Sequence, residues 1–298
     1  MRQRDMSFKT PEAEERYQRY YEDALSLWPV PYESTCVDTP WGQTHVMCSG
    51  PKGAPVLVLL HGMSFSSTMW YRNVENWSQS HRVVVIDIIG TPGKSIAVKT
   101  LRNGDDCAGW LNDVLDKLHI TKAYIAGHSF GAWLSLAYAM RHPERIEKIV
   151  LLSPAATFLP VVKEFYLRLL LTIALPFRPV FESFTRWLGG KHSKSAASGD
   201  LMKQAIFGMR YFRMRMRVIP SMFTDRELKK IEMPTLLLIG DREVIYNPQA
   251  ALARAKALMP NIRGRLVEDA GHALPMERPE VVNRCVSEFL MEIPRDGI

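Results

Sequence analysis

The chain has 298 residues, of which 47% are hydrophobic, and a formal net charge of +7. It is long and apolar enough for one large α/β domain or two domains, which excludes a disordered polypeptide. No apolar run reaches the roughly 18 residues of a membrane span, so we expect no transmembrane segment. The N-terminus lacks an apolar signal core, and the four cysteines form no C-x-x-C pair. These features predict a cytoplasmic protein with free thiols and no metal site.

The positive charge is concentrated in one segment. Residues 158–222 contain eleven Lys and Arg against three acidic residues, a net charge of +8, whereas the remainder contains 27 basic and 28 acidic residues, a net charge of −1. One interpretation is a solvated surface, because runs of charge often have that role. The other is a docking surface for an anionic partner, such as an acyl-carrier protein, an acidic lipid surface or a substrate with a carboxylate.

In chain order, the first predicted elements are a helix and a hairpin. The helix covers about 11–28 and begins with Thr10 as its cap. The hairpin has its turn in DTPWGQ, at 38–43. Cys36 and Cys48 would not lie opposite each other across this turn, which argues against a disulfide between them.

Apolar strands then alternate with helices. The strands are predicted at 55–60, 82–88, 122–127, 148–153, 235–240 and 264–269, and the helices at 67–78, 105–118, 130–141, 247–259 and 279–291. Continuously apolar strands are typical of a parallel sheet that is buried on both faces. The alternation therefore predicts an α/β fold with helices on both sides of the sheet.

The segment 158–222 interrupts this alternation. It contains no predicted strand, and a structureless loop of about 65 residues is implausible inside a compact domain. We therefore predict a mostly helical cap over 158–222, inserted into a core domain made of 1–157 and 223–298. The stretch GGKHSKSAASG, at 189–199, is predicted to be a flexible connection within the cap.

The pentapeptide GHSFG, at 127–131, stands between a predicted strand and a predicted helix. The G-x-S-x-G pattern alone is common, but in this setting it forms a tight turn that points the serine outward. Small residues at both ends of the pattern let the strand and the helix approach closely. Ser129 is therefore the predicted nucleophile.

A serine hydroxyl is a poor nucleophile until a base takes its proton. Among the eight histidines, His272 directly follows the last predicted strand, which brings it to the same edge of the sheet as Ser129. A carboxylate must then hold the correct tautomer of the base. Asp241 and Glu243 both follow the strand at 235–240, and we favour Glu243 because it lies far enough past the strand to turn over the sheet edge.

Acyl transfer also requires two N–H donors for the oxyanion of its tetrahedral intermediate. The predicted donors are the main-chain amides of Phe130, which follows the nucleophile, and of Met63 in the loop LHGMSFSSTMW. Only main-chain groups are needed in that loop, so we assign His61 a structural role.

Large apolar side chains in the cap are candidates for a hydrophobic acyl pocket, although packing of the cap onto the core accounts for many such residues. We expect Phe165 and Trp187 of the cap, with Trp70 of the core, to line this pocket. Further aromatic candidates in the cap are Tyr166, Phe181 and Phe184.

The tripeptide GKS, at 93–95, resembles the end of a phosphate-binding P-loop. A P-loop has a glycine five residues before its Gly-Lys, where this chain has Ile88. It also opens a helix, whereas no helical pattern follows Ser95. The sequence therefore supports a nucleotide site only weakly, and a nucleotide-binding protein is a third, less favoured class. We also expect no nucleic acid partner.

Taken in chain order, these residues resemble the α/β-hydrolase superfamily over about 55–157 and 224–291. The matching motifs are LHG, GHSFG and AGH, and the order Ser129, Glu243, His272 is that of the superfamily. The stretches DIIGTPGKS, LSPAATFLP, FTDREL, IGDREVIYNP and AGHALPMERP are similar to Bacillus-type carboxylesterases. That resemblance implies a glutamate at the acid position, in agreement with Glu243.

The resemblance also explains GKS. A D-x-x-G-x-G-x-S loop is typical of the superfamily, and Asp87, Gly90, Gly93 and Ser95 match it with one extra residue. The stretch GTPGKS is therefore predicted to be a turn, with Lys94 as a solvated side chain.

The implied fold is a mostly parallel sheet flanked by helices, with a helical cap. The implied activity is hydrolysis of a small carboxylic ester through an acyl-enzyme, without a metal or an organic cofactor. Hydrolysis of thioesters, lactones, amides, acyl-carrier-linked esters or C–C bonds uses the same residues and remains an alternative. A non-catalytic ligand receptor on this scaffold is less favoured, because a receptor has no need of all three residues.

Overall fold

The computed structural model describes residues 7–175, 177–189 and 199–292. Within these residues one nine-stranded sheet has the order β1-β2-β4-β3-β6-β7-β8-β9, and β5 pairs with β2. The strands are β1 (Glu33–Thr39), β2 (Gly42–Ser49), β3 (Val56–Leu60), β4 (Arg82–Ile86), β5 (Ile96–Ala97), β6 (Ala123–His128), β7 (Ile146–Leu152), β8 (Thr235–Gly240) and β9 (Ile262–Val267). The pairs that involve β2 are antiparallel, and the other pairs are parallel.

Helices connect the strands and flank the sheet. They are α1 (Pro11–Leu25), α2 (Val74–Trp77), α3 (Gly104–Lys117), α4 (Phe130–Ala139), α5 (Lys163–Ala174), α6 (Arg178–Leu188), α7 (Asp200–Tyr211), α8 (Asp225–Leu228), α9 (Pro248–Leu258), α10 (Leu274–Glu277) and α11 (Pro279–Met291), with 3₁₀ turns at Ser67–Arg72 and Pro143–Arg145. The predicted helix at 67–78 is thus two short elements. They are separated at Asn73, which ends the 3₁₀ turn and precedes α2.

The parallel strands are apolar on both faces because a hydrophobic core lies on each side of the sheet. In β3, Leu57 and Leu59 join one core, and Val58 and Leu60 join the other, as the alternation of side chains along a strand requires. Helices α3 and α4 cover one face, and α1 and α11 cover the other. The predicted fold of a mostly parallel sheet between helices is confirmed.

The hairpin of β1 and β2 also follows the prediction. Cys36 pairs with His45 and Cys48 pairs with Glu33, so the two thiols are not opposite each other. All four cysteines are free. The N-terminal helix has the predicted Thr10 cap, whose side chain accepts a hydrogen bond from the Ala13 amide, but it ends earlier than predicted.

Three helices, α5, α6 and α7, occupy the segment between β7 and β8 that was predicted as a cap. We call residues 158–222 the helical insertion. Most of the predicted connection at 189–199 lies outside the described residues. The division of the chain into a core domain and a cap stays a prediction.

The GTPGKS stretch wraps around a buried carboxylate. Asp87 is 0% exposed and accepts hydrogen bonds from the main-chain N–H of Ser67 and of Lys94, both at 2.9 Å. It also accepts from the Tyr21 hydroxyl at 3.0 Å and from His45 Nδ1 at 3.1 Å. Burial opposes the charge of Asp87, but hydrogen bonding and the charge of His45 outweigh it and hold the pKa of this carboxyl below its ordinary value.

The prediction of Lys94 as a solvated side chain is wrong. Its side chain is only 22% exposed, pairs with Glu22, and places its ammonium 4.6 Å from the centroid of the Tyr21 ring. The loop that follows Asp87 lies against α1, so Lys94 meets the carboxylate and the ring that this helix presents. Sequence spacing alone does not show that contact.

Asp87→Asn should destabilise the fold by about 3 kcal/mol, because it removes a buried charge from donors that remain buried. The folded pKa of Asp87 is depressed, so its stabilisation is present above the unfolded pKa of about 4 and is lost as the pH falls below that value. Urea unfolding at pH 7 and at pH 3.5 measures both effects, with the exposed Asp38→Asn as the matched control. Equal stability of the two variants at pH 7 would contradict this assignment.

Candidate active site

Ser129 occupies a sharp turn between β6 and α4. Its backbone has φ 53° and ψ −112°, a conformation that residues with a side chain seldom adopt. A Cβ atom at Gly127 would lie 2.3 Å from the carbonyl carbon of Gly131, and one at Gly131 would lie 2.1 Å from the carbonyl oxygen of Leu60. Both glycines are therefore required for the close approach of strand and helix, as the G-x-S-x-G pattern predicts.

A row of hydrogen bonds leads from Ser129 to a buried carboxylate. Ser129 Oγ lies 2.8 Å from His272 Nε2, and His272 Nδ1 lies 2.8 Å from Glu243 Oε2. The Glu243 side chain is 0% exposed and that of His272 is 8% exposed, so little water competes for either bond. With Nδ1–H donating to the carboxylate, Nε2 is free to accept the serine proton.

Glu243 is held on its other side by its own loop. Its Oε1 accepts hydrogen bonds from the main-chain N–H of Val244, at 2.9 Å, and of Ile245, at 3.1 Å. Asp241 instead accepts at 3.3 Å from the main-chain N–H of Ala270. Of the two carboxylates considered from the sequence, the structure thus brings Glu243 to the histidine.

The two residues predicted to supply main-chain N–H donors lie near Ser129. Met63 and Phe130 both line the cavity that contains Ser129. No hydrogen bond from either amide is found within the described residues. The Phe130 amide is in the first turn of α4, where the helix dipole favours negative charge. The arrangement can hold a developing oxyanion.

His61 fixes the loop that contains Met63. Its Nδ1–H donates to the Gly62 carbonyl at 2.9 Å, and its Nε2 accepts at 2.9 Å from the Ile88 amide, directly after Asp87. Burial lowers the pKa of His61, which keeps the ring neutral and able to accept. The structural role expected for His61 agrees with these contacts.

Sequence reasoning missed a second histidine in the site. His128 Nε2 lies 2.8 Å from the main-chain carbonyl oxygen of His272 and donates to it, while its buried Nδ1 has no partner in the described residues. Burial, and then the charge of His272, lower the pKa of His128 to about 3. His128 is therefore neutral and supports the loop of His272. Its position next to Ser129 in GHSFG is the signal that was available.

Beside Ser129 lies an apolar cavity of about 330 Å³. The core side of the wall includes Gly62, Met63, Phe65, His128, Ser129, Phe130 and His272, and the helical insertion contributes Val161, Phe165, Tyr166, Leu169, Phe181, Phe184, Thr185, Leu188, Val218, Ile219 and Pro220. No Lys, Arg, Asp or Glu is among the described residues that line it. The cavity suits an apolar, uncharged group.

Two of the three residues predicted for the pocket are elsewhere. Phe165 lines the cavity, whereas Trp187 stands behind it, stacked on Phe184 with the Arg168 guanidinium 4.9 Å from its ring centroid. Trp70 is 0% exposed and packs against Trp77 in the core on the other face of the sheet. The aromatic character of Trp70 did not show that its ring is buried in this core.

Main-chain hydrogen bonds join the helical insertion to both loops of the site. The Val162 amide donates to the Ile245 carbonyl, and the His272 amide donates to the Leu188 carbonyl at the end of α6, each at 2.8 Å. The first bond joins the insertion to the loop that contains Glu243, and the second joins it to the main chain of His272.

The site therefore combines a strained serine, a histidine within reach of its hydroxyl, a buried carboxylate and two free amides at the carboxyl ends of parallel strands. This geometry is that of acyl transfer by a serine nucleophile. Residues 57–284 match the family model described as alpha/beta hydrolase family. The chain belongs to this family.

Individual relatives agree with the assignment. The chain is 38% identical over 296 residues to carboxylesterase YbfK of Bacillus subtilis, covering 97% of this chain and 98% of the relative. The solved structure of naproxen esterase (carboxylesterase NP) from Bacillus subtilis matches with a TM-score of 0.89 and 40% identity, covering 94% of this chain and 99% of the other. A more distant relative, 30% identical over 80% of this chain and 88% of its own length, is a 2-hydroxy-6-oxononadienedioate/2-hydroxy-6-oxononatrienedioate hydrolase of Burkholderia vietnamiensis.

Gly131→Ala should destabilise the protein by about 2–3 kcal/mol and reduce ester hydrolysis, because its Cβ would overlap the main chain of Leu60 and displace the Ser129 turn. Gly53→Ala is the matched control, since no atom lies within 4 Å of a Cβ there. Thermal unfolding and activity of the two variants give the comparison. A Gly131→Ala protein as stable and active as Gly53→Ala would refute the packing argument.

Proposed function

We propose that this protein is a serine carboxylesterase that hydrolyses small, apolar carboxylic esters, with Ser129, His272 and Glu243 as its catalytic triad. The observation that carries the proposal is the unbroken row of hydrogen bonds from Ser129 Oγ to the buried Glu243 carboxylate, which begins at an apolar cavity. The kinship with carboxylesterases over nearly the whole chain supports the same reaction. In this proposal residues 158–222 are a cap over the cavity.

The first half of the reaction forms an acyl-enzyme. His272 Nε2 takes the hydroxyl proton as Ser129 Oγ attacks the ester carbonyl carbon, and the carbonyl oxygen becomes an oxyanion. The amides of Met63 and Phe130 donate to that oxygen. When the intermediate collapses, the C–O bond to the alcohol breaks, and His272 gives its proton to the departing alkoxide.

The second half releases the acid. A water molecule loses a proton to His272 Nε2 and attacks the acyl carbon, and the same amides hold the oxyanion. Collapse of this intermediate breaks the bond between the acyl carbon and Ser129 Oγ, and His272 returns its proton to Oγ. Glu243 remains ionised throughout and stabilises the imidazolium formed in each half. Its two main-chain donors keep the carboxylate oriented toward Nδ1.

The cavity wall favours an uncharged ester over the substrate of the more distant relative. A dienedioate has two carboxylates, and burying them requires cationic or hydrogen-bonding partners. No Lys or Arg is among the described residues of the cavity wall, so the positive charge of the insertion is not placed to bind a carboxylate inside it.

The proposal places the protein in the cytoplasm. Its four cysteines are free, as expected where thiols are kept reduced. Within the described residues, no helix has both the length and the apolar character to cross a membrane.

Ser129→Ala and His272→Ala should each lower kcat/KM by roughly 10⁴-fold, and the double variant should lose no more, because triad members act as a unit. A panel of p-nitrophenyl esters of increasing acyl length measures the loss and the acyl preference, and circular dichroism checks folding. A fluorophosphonate probe should label wild type and not Ser129→Ala. Absence of labelling in wild type would instead favour a non-catalytic ligand receptor.

Glu243→Gln should lower kcat/KM far more than Asp241→Asn, by roughly 10³-fold or more against less than about threefold, since an amide neither stabilises the imidazolium nor fixes its tautomer. The two substitutions remove one charge each from the same loop, so each is the control for the other. Steady-state kinetics on one neutral ester is sufficient. The reverse order of effects would transfer the acid role to Asp241.

A further inference from the structure

Helix α5 exposes a face made of apolar side chains. Leu167, Leu170 and Leu171 recur at helical spacing on one side, and they are 59%, 63% and 47% exposed. Among the residues of α5 only Thr172 is buried. A surface helix ordinarily presents polar residues to water, so this apolar face is suited to a partner.

The exposure is concentrated in the helical insertion. Of the fifteen large hydrophobic side chains that are exposed in the described part of the chain, eleven lie between residues 158 and 222. Beyond α5 they include Leu175 and Phe177, at 47% and 56% exposure. A contiguous apolar patch of this kind marks an interaction surface, unlike single exposed residues scattered over a protein.

The apolar face meets the mouth of the cavity. Tyr166, on α5, is 45% exposed and also lines the cavity that contains Ser129. Ile219 is 74% exposed and lines the same cavity. Whatever covers the exposed face of α5 therefore borders the route by which an ester reaches the serine.

The charge of the helical insertion favours an anionic partner. The three acidic residues of the insertion each pair within their own helix, Glu164 with Arg168, Glu182 with Arg178 and Asp200 with Lys203. The other eight basic residues carry the net charge of +8. Among them, Lys163, Arg186 and Arg217 are exposed.

A second copy of the chain fits poorly on this face. Association through α5 would bring two segments of charge +8 together, and like charges across an interface oppose binding. It would also cover the cavity mouth. A folded acidic protein needs polar groups to pair with at its contact, whereas α5 has a single charged side chain between Tyr166 and Ala174, that of Arg168, and it is already paired with Glu164.

We propose that the apolar face of α5, together with the exposed basic residues Lys163, Arg186 and Arg217 of the helical insertion, docks this protein on an anionic lipid surface. Apolar side chains enter the boundary between headgroups and acyl chains, and Lys and Arg side chains contact the anionic headgroups. The cavity mouth then faces the membrane, so that apolar esters dissolved in the lipid reach Ser129 directly. This last step rests on the esterase activity proposed above, and the docking does not.

The test uses the full chain and vesicles of two compositions. One is phosphatidylcholine alone, and the other contains about 30 mol% phosphatidylglycerol. The apolar variant combines Leu170→Gln with Leu171→Gln, neither of which lines the cavity. Its control combines Leu27→Gln with Met291→Gln, which are exposed outside the insertion at 42% and 62%. The charge variant combines Lys163→Gln with Arg217→Gln. Its control is Arg19→Gln, which removes a positive charge outside the insertion.

Wild type should co-sediment with the anionic vesicles at least about tenfold more than with the neutral ones, and about 0.5 M salt should abolish this preference. The apolar variant and the charge variant should each bind about tenfold less, while both controls bind like wild type. Hydrolysis of a short soluble ester should change less than about twofold in all four proteins.

Ser129→Ala separates the two proposals, since it should lose hydrolysis and keep vesicle binding. Vesicle binding by a wild type that lacks esterase activity would overturn the function and leave the docking in place. Failure of wild type to bind anionic vesicles, or equal binding by the apolar variant, would overturn the docking. Concentration-dependent dimers that the apolar variant lacks, seen by analytical ultracentrifugation, would assign the face to a second copy.

Discussion

The closeness of β6 and α4 at Ser129 is the constraint on which the site depends. Neither Gly127 nor Gly131 has room for a Cβ atom, so the chain turns within one residue and Ser129 takes a backbone conformation that an ordinary turn would not impose. The turn has two consequences at once. It lifts the hydroxyl above the ends of the parallel strands, and it places the first amide of α4 beside that hydroxyl, where the helix dipole adds to its positive character.

The second amide is supported through Asp87. The loop that contains Met63 is fixed at both ends to the residues after β4, by the bond between His61 and the Ile88 amide and by that between the Ser67 amide and Asp87. The stretch that resembles a P-loop thus supports the loop that contains Met63. The Asp87 carboxylate is an internal anion that accepts hydrogen bonds from N–H groups of several elements. In a true P-loop an external phosphate accepts such bonds.

The order of the parallel strands was predictable from the sequence, and so was the approach of Ser129, His272 and Glu243 to one another, because each is determined by local pattern and by order along the chain. Contacts between distant segments were not predictable in the same way. The aromatic residues Trp70 and Trp187 were expected at the pocket on composition, but whether such a ring faces a cavity or a core depends on which element covers it. His128 was overlooked because its hydrogen-bond partner lies 144 residues away.

The two hydrogen bonds that attach the helical insertion to the site, from Val162 to Ile245 and from His272 to Leu188, join main chain to main chain. Their formation does not depend on which side chains the insertion carries. Phe165, Phe181 and Phe184, which shape the cavity, can therefore change without disturbing the alignment of histidine and carboxylate. With such an arrangement, selectivity among ester substrates can change while ester hydrolysis is retained. Substitutions that aim at new substrate preferences are therefore best made in the insertion.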